Sequence, residues 1–335
     1  MTAAQALAVV LWLAVSCYAL LGGADFGAGF WDLSAGRSAR GDRMRARIEH
    51  SIGPVWEANH VWLIFALVVL WTGFPSAFAS IASTMYVPLT AVAVGVILRG
   101  SAFAFRKAVQ EPASRRALGW VFAAASVLTP FFLGAVAGGI ASGRVPPGVA
   151  SGSVVGSWAN PTSWLGGTMA VGTCAWLAAV YLTADATRAG EDDLAEAFRA
   201  RALATGVALG ALALSGIAVL HADAPVLFGG LTGRGLACIA VSAAAGLASL
   251  GLLWRRRYVL ARPPAALAVV AVVWGWGVAQ YPRLLVGGPS LEAAAAPGPT
   301  LHAMLWASLA GALVVVPSLA WLFVLFGRQG PGAPP

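Results

Sequence analysis

The chain has 335 residues, of which 59% are hydrophobic and only 10% charged, whereas an ordinary soluble domain is about 25% charged, so a water-soluble globular fold is excluded. A net charge of +8 would suggest nucleic acid as the partner of a soluble protein, but the basic residues lie mostly in short loops beside apolar segments, where they set topology, and no nucleic-acid partner is expected. Cys17, Cys174 and Cys238 all sit inside apolar runs without CxxC spacing, which excludes a disulfide framework and a thiolate metal site; no metal is expected.

A helix needs about 20 apolar residues to cross roughly 30 Å of hydrocarbon. Nine such runs lie between breaks rich in Pro, Gly or charge: residues 3–21, 55–74, 77–105, 118–140, 164–184, 202–220, 235–254, 265–281 and 301–326. They predict an all-α, polytopic membrane bundle of about nine transmembrane helices, with residues 1–335 forming one integral membrane domain. No basic residue precedes the first run and no small-residue cleavage site follows it, so it is expected to be a retained span. Strands are not expected, because the runs are long and unbroken and lack alternation. The segments 141–163 and 282–300 are rich in Pro, Gly and Ala and are expected to form compact caps.

With nine crossings, the basic residues divide unevenly. One side holds Arg37, Arg40, Arg43, Arg45 and Arg47 after the first run, Arg106, Lys107, Arg115 and Arg116 after the third, and Arg188, Arg199 and Arg201 after the fifth. Arg255, Arg256, Arg257, Arg262 and Arg328 complete that side, against Arg144, Arg234 and Arg283 on the other. The positive-inside rule then puts the N-terminus outside and the C-terminus inside. The acidic group Glu191, Asp192, Asp193 and Glu196 is expected to be a solvated loop face. Gly230-Leu-Thr-Gly-Arg-Gly235 matches a phosphate loop only loosely, and with no preceding strand and no Lys-Ser/Thr pair that reading is discarded. Gly23 and Gly27, like Gly134 and Gly138, have the spacing that lets helices approach closely.

Ionisable groups at membrane depth are the informative residues, since each is unfavourable unless paired, hydrated or neutralised. Asp25 closes the first run, Glu57 and His60 open the second, and Arg99 lies near the end of the third. All four fall toward the same inner face. Glu57 and His60 share a helix face, flanked by Trp56, Asn59 and Trp62. A carboxylate beside an imidazole is a competent proton relay. An ion pair from Arg99 to Asp25 or Glu57 that merely locks helices together fits the spacing equally, and one network can serve as both. His60 is the only histidine clearly inside a run; His221 and His302 sit at the opposite ends of their helices, so the chain lacks a second histidine at matched depth for a bis-His haem.

These residues carry a family resemblance. Gly22-Gly-Ala-Asp-Phe-Gly-Ala-Gly29 with Trp31-Asp32-Leu33, Ile52-Gly-Pro-Val-Trp-Glu-Ala-Asn-His-Val-Trp-Leu63 and Leu98-Arg-Gly-Ser-Ala-Phe-Ala-Phe-Arg106 are similar to motifs of subunit II of cytochrome bd-type quinol oxidases. Gly134-Ala-Val-Ala-Gly138 leading to Val145-Pro146, and Ala279-Gln-Tyr-Pro282, extend the resemblance across nearly the whole chain. The resemblance implies a multi-pass protein of a bacterial cytoplasmic membrane, not catalytic alone. It would serve an electrogenic terminal oxidase that oxidises quinol and reduces O2 to water. In that family the haem-bearing subunit I carries haems b and d, so by resemblance this chain is expected to bind no haem. A structural quinone or lipid and a small accessory membrane subunit are further partners that the family admits, besides the surrounding membrane lipid.

By motif, Glu57 takes the position of the membrane carboxylate assigned to the proton path and Asp25 that of the acidic residue ending the first helix, with Arg99 and Trp56 expected to hold them in place; from spacing alone, His60 is a candidate relay and Asn59 a supporting group. The chain departs from the family at Ala104, where an acidic residue is common and a partner for Arg106 or Arg99 is therefore missing. It departs again at Arg283, where an apolar or aromatic residue is usual. Two other readings use the same residues: a proton-coupled transporter, which would need broken helices in both halves, and a purely structural membrane partner.

Overall fold

Thr2 starts the first helix with a reciprocal cap. Its hydroxyl accepts the Gln5 amide at 3.2 Å, while the Gln5 side chain accepts the Thr2 amide at 3.0 Å. In the computed structural model, residues 1–36, 38–53 and 56–328 are described, apart from the side chains of Lys107, Pro112, Phe323 and 325–328. Arg37, Pro54 and Val55 lie outside the described residues.

The elements in chain order are α1 (Ala3–Leu33), α2 (Ala39–Ile52), α3 (Trp56–Gly73), α4 (Pro75–Thr84), α5 (Tyr86–Ala108), α6 (Pro112–Ala141) and α7 (Pro161–Arg188). There follow α8 (Asp192–Asp223), α9 (Pro225–Thr232), α10 (Leu236–Trp254), α11 (Tyr258–Gln280), α12 (Leu291–Ala294) and α13 (Gly298–Arg328). The fold is thus a nearly all-helical membrane bundle. Among the described residues eight helices are long and apolar enough to cross a bilayer, or up to nine if the bent pair α2 and α3 is counted as one span.

Two expected boundaries move, each for a local reason. The first helix does not stop near residue 21 but runs on through the glycines to Leu33, so Asp25 lies in a helix interior instead of at its end. Those glycines are kept helical by contact: a side chain on Gly27 would overlap the Cys174 backbone carbonyl of α7, and one on Gly29 would overlap Ser126 of α6. The third expected run, 77–105, is two helices, broken at Met85. Pro88 explains the break, because a proline ring clashes with the carbonyl four residues earlier, here that of Thr84.

Helix α1 is the hub, packing against α3, α6, α7 and α11. The closest crossing between α6 and α7 is made by the second glycine pair. A Cβ on Gly138 would stand 2.5 Å from the Thr162 carbonyl oxygen, and one on Gly134 would overlap the Gly166 carbonyl. Two apolar cores fill the ends of the bundle. One gathers Trp31, Met44, Ile48, Phe198 and Leu253, and the other Leu7, Val69, Phe74, Met85 and Leu291.

The two ends differ in charge. At the basic end, α2 buries Met44, Ile48 and Ile52 at four-residue spacing and leaves Arg40 and Arg43 exposed, while Arg45 and Arg47 are partly covered. The acidic group beside it is not a free solvated face: Asp193 takes Arg40 and Arg43, Glu191 takes Arg47 at 2.7 Å, and Glu196 takes Arg199 and Arg256. At the opposite end, the two cap segments are compact, as their composition implies. The amides of Gly148 and Ala150 donate to Ser80 and Ser83 at 2.9 and 2.7 Å. Gln5 donates to Tyr281 and Glu292, each at 3.1 Å, and the Ala296 amide donates to Gly73 O at 2.9 Å.

Candidate functional site

Asp25 is enclosed because α1 is the hub helix, and it retains only 5% exposure. Asn59 on α3 donates its amide to the carboxylate at 2.7 Å and approaches the Leu21 carbonyl at 3.4 Å. Arg99 on α5 is 1% exposed. Its Nη2 donates to the backbone carbonyl of Asp25 at 3.1 Å and its Nε to the Ser126 hydroxyl at 3.2 Å. Ser126 in turn donates to the Phe122 carbonyl at 2.7 Å. The guanidinium is sandwiched by Phe26 and Phe122, with centroids at 4.9 and 5.1 Å.

This arrangement joins the two uses that spacing alone left open. Arg99 ties α5 to α1 and α6, yet it holds the backbone of Asp25 and leaves the carboxylate to Asn59. Arg99 and the Asp25 carboxylate make no direct hydrogen bond among the described residues.

His60 is half-buried in an aromatic cage. The rings of Tyr18, Phe26 and Trp56 lie 6.0, 6.0 and 6.3 Å from its own, and the Tyr18 hydroxyl lies 3.4 Å from Nδ1. Trp56 packs on Phe103 at 5.4 Å and over Gly100, so it supports the histidine and the α3–α5 contact, not a carboxylate. Glu57 stands apart from this interior. It is exposed in the first turn of α3, with no ion pair among the described residues. It heads a stripe of exposed residues at helical spacing that continues through Val61, Ile64, Val68 and Trp71. Asn59, two residues on, projects from another side of the helix toward Asp25.

The geometry therefore brings Asp25, Asn59 and Arg99 into one buried cluster, puts His60 and Trp56 beside it, and leaves Glu57 at its rim. The partner missing because of Ala104 is supplied from elsewhere: Arg106 donates to Asp32 at 3.0 Å, and Asp32 is only 6% exposed. Sequence reading missed Tyr18, Ser126 and the role of Asp32. Tyr18 lies seven residues before Asp25, hence on the same helix face, which is a usable signal. Ser126 carries none, being one of many small residues in an apolar run.

Comparison with known proteins agrees with this architecture. Residues 3–326 match the family described as cytochrome bd terminal oxidase subunit II. Cytochrome bd ubiquinol oxidase subunit 2 of Bacillus subtilis is 33% identical over 34% of this chain and 33% of its own length. Cytochrome bd-I ubiquinol oxidase subunit 2 of Escherichia coli is 29% identical over 42% of this chain and 37% of its own. The chain thus spans about a third of the length of each of these relatives. A chain from the structure of bd oxidase from Geobacillus thermodenitrificans superposes with a TM-score of 0.78 at 24% identity, covering 98% of this chain and 100% of that one, and it shares the fold. On the match across nearly its full length, this chain belongs to the cytochrome bd terminal oxidase subunit II family.

Proposed function

We propose that this chain is the haem-free subunit of a quinol oxidase in a bacterial cytoplasmic membrane, and that it feeds protons from the basic end of the bundle toward a haem-bearing subunit I. The complex would oxidise quinol, reduce O2 to water and build a membrane potential, with the basic end inside and the N-terminus outside. The observation that carries this reading is the buried Asp25 carboxylate, held by a neutral amide while the adjacent Arg99 is committed to backbone and hydroxyl oxygens.

Glu57 is the entry group at the rim, His60 and Tyr18 are polar groups inside it, and Asp25 is the internal acceptor. An exposed carboxylate above an apolar stripe is unfavourable against lipid and favourable against protein or water. The face of α3 carrying Glu57 is accordingly where subunit I docks. Helix α1 belongs to the core and contributes little to that contact. A transporter reading is disfavoured because Asp25, His60 and Arg99 gather in the first third of the chain near one end of the bundle, with no matching site in the second half among the described residues.

The test uses the assembled oxidase with a normal haem spectrum. Asp25→Asn keeps the Asn59 contact sterically and should lower quinol-driven oxygen consumption by about tenfold or more, the scale on which positioned proton-transfer groups act. Glu57→Gln should give a smaller loss, because Glu57 is exposed in the first turn of α3 whereas Asp25 is enclosed. Unchanged turnover in both variants would leave the chain a purely structural partner.

A further inference from the structure

At the end of the bundle opposite α2, the chain carries Arg144, Arg234 and Arg283, and these three are treated differently. Arg144 makes a two-pronged pair with Asp223, at 2.9 Å for Nη1, and Asp223 also accepts from the Thr162 amide at 3.0 Å and hydroxyl at 2.6 Å. Arg234 and Arg283 have no carboxylate within 4.0 Å among the described residues, and Arg234 reaches only the Ala279 carbonyl, at 3.4 Å. At the basic end Arg43, Arg47, Arg106, Arg199 and Arg262 meet carboxylates, while Arg115, Arg116, Arg201, Arg255 and Arg257 have none within 4.0 Å among the described residues, so it is the shared cavity and not the lack of a partner that sets Arg234 and Arg283 apart. The two unpaired cations converge on one cavity of about 430 Å³ between α9, the end of α11 and the segment that follows it.

The cavity wall is two-sided in character. Gly230 and Gly233 line it beside Arg234. Gly230 is pressed so closely on α11 that a side chain there would overlap the Ala279 carbonyl. Helix α10 begins two residues after Arg234 without a side-chain cap, so its positive end adds to the field. The remaining wall includes Val226 and Val286, and Val226 is 62% exposed.

We propose that this cavity binds the phosphate of an acidic phospholipid, Arg234 and Arg283 clamping the phosphodiester and the valine side receiving the first acyl carbons. Guanidinium groups are the side chains best suited to phosphate oxygens, and at this end of the bundle no protein anion competes for these two. The site is independent of the proton path and holds whether or not Asp25 moves protons.

The experiment uses the detergent-purified protein with its co-purifying subunits, stripped of lipid by extended washing. It is titrated with short-chain phosphatidylglycerol and separately with inorganic phosphate, with bound adduct read by native mass spectrometry and melting temperature alongside. Phosphatidylglycerol should bind, and Arg234→Gln/Arg283→Gln should weaken it by about tenfold or more through loss of two charge-assisted contacts. The double variant should melt normally without lipid, since neither arginine holds a carboxylate. Phosphate binding as well as the lipid, with the same arginine dependence, would keep the anion site and assign it to the free ion. Equal lipid binding by wild type and double variant, or none by either, would overturn the proposal.

Discussion

Replacing Arg99 by methionine should remove most of the folded protein from the membrane. Methionine fills a similar volume, but it leaves the Asp25 carbonyl, the Ser126 hydroxyl and a buried carboxylate without their cation. Stranding a buried charge in this way costs about 3–5 kcal/mol, a large share of the 5–15 kcal/mol that separates folded from unfolded protein. Arg99→Lys keeps the charge but cannot donate in two directions from a planar fork, so an intermediate loss is expected. Thermal melting of the detergent-solubilised protein measures both. A melting temperature for the methionine variant equal to wild type would show that Arg99 is not the clasp between α5, α1 and α6.

Gly27→Ala should be nearly as damaging, although it adds a single methyl group. That methyl would occupy the space of the Cys174 carbonyl on α7, and backbone cannot step aside as a side chain can. Overpacking of this kind costs about 1–3 kcal/mol where neighbours adapt and more where they do not. Gly23→Ala is the internal control, because its Cβ would meet Cys174 Sγ at an ordinary 3.5 Å. Alanine is worth about 1 kcal/mol over glycine in a helix interior, so Gly23→Ala should be neutral or slightly stabilising. If both variants melt alike, close approach at Gly27 is not what sets the α1–α7 crossing.

That contrast also shows how far sequence could lead. GxxxG spacing pointed correctly to close helix packing, but spacing cannot say which glycine of a pair carries the contact. Gly27 does so and Gly23 does not, because only the helix crossing point decides it. Helix number and class were legible, since apolar length is a direct consequence of bilayer thickness. The break at Met85 was not expected, although Pro88 marks it, because hydropathy averages over a single kinked turn.

In the site, Asp25, Asn59 and Arg99 were recognisable as membrane-depth polar groups. Their division of labour was not, because it depends on a backbone carbonyl that no sequence pattern advertises. Glu57 and Asp25 share a depth, yet the two-residue step from Glu57 to Asn59, the residue that meets Asp25, aims those two side chains at different sides of α3. Depth in the membrane is written in the sequence; azimuth around the helix is fixed by what packs against it. The Asp32–Arg106 pair answers the Ala104 departure through a contact 74 residues apart in the chain, beyond the reach of local pattern.

Proton uptake on mixing the reduced, assembled oxidase with oxygen, followed by a pH-sensitive dye, tests the central claim most directly. With the haem spectrum unchanged, Asp25→Asn should slow uptake relative to wild type while electron transfer to oxygen begins normally. Uptake in Asp25→Asn at the wild-type rate would contradict the account, and the buried cluster would then be a helix clasp alone.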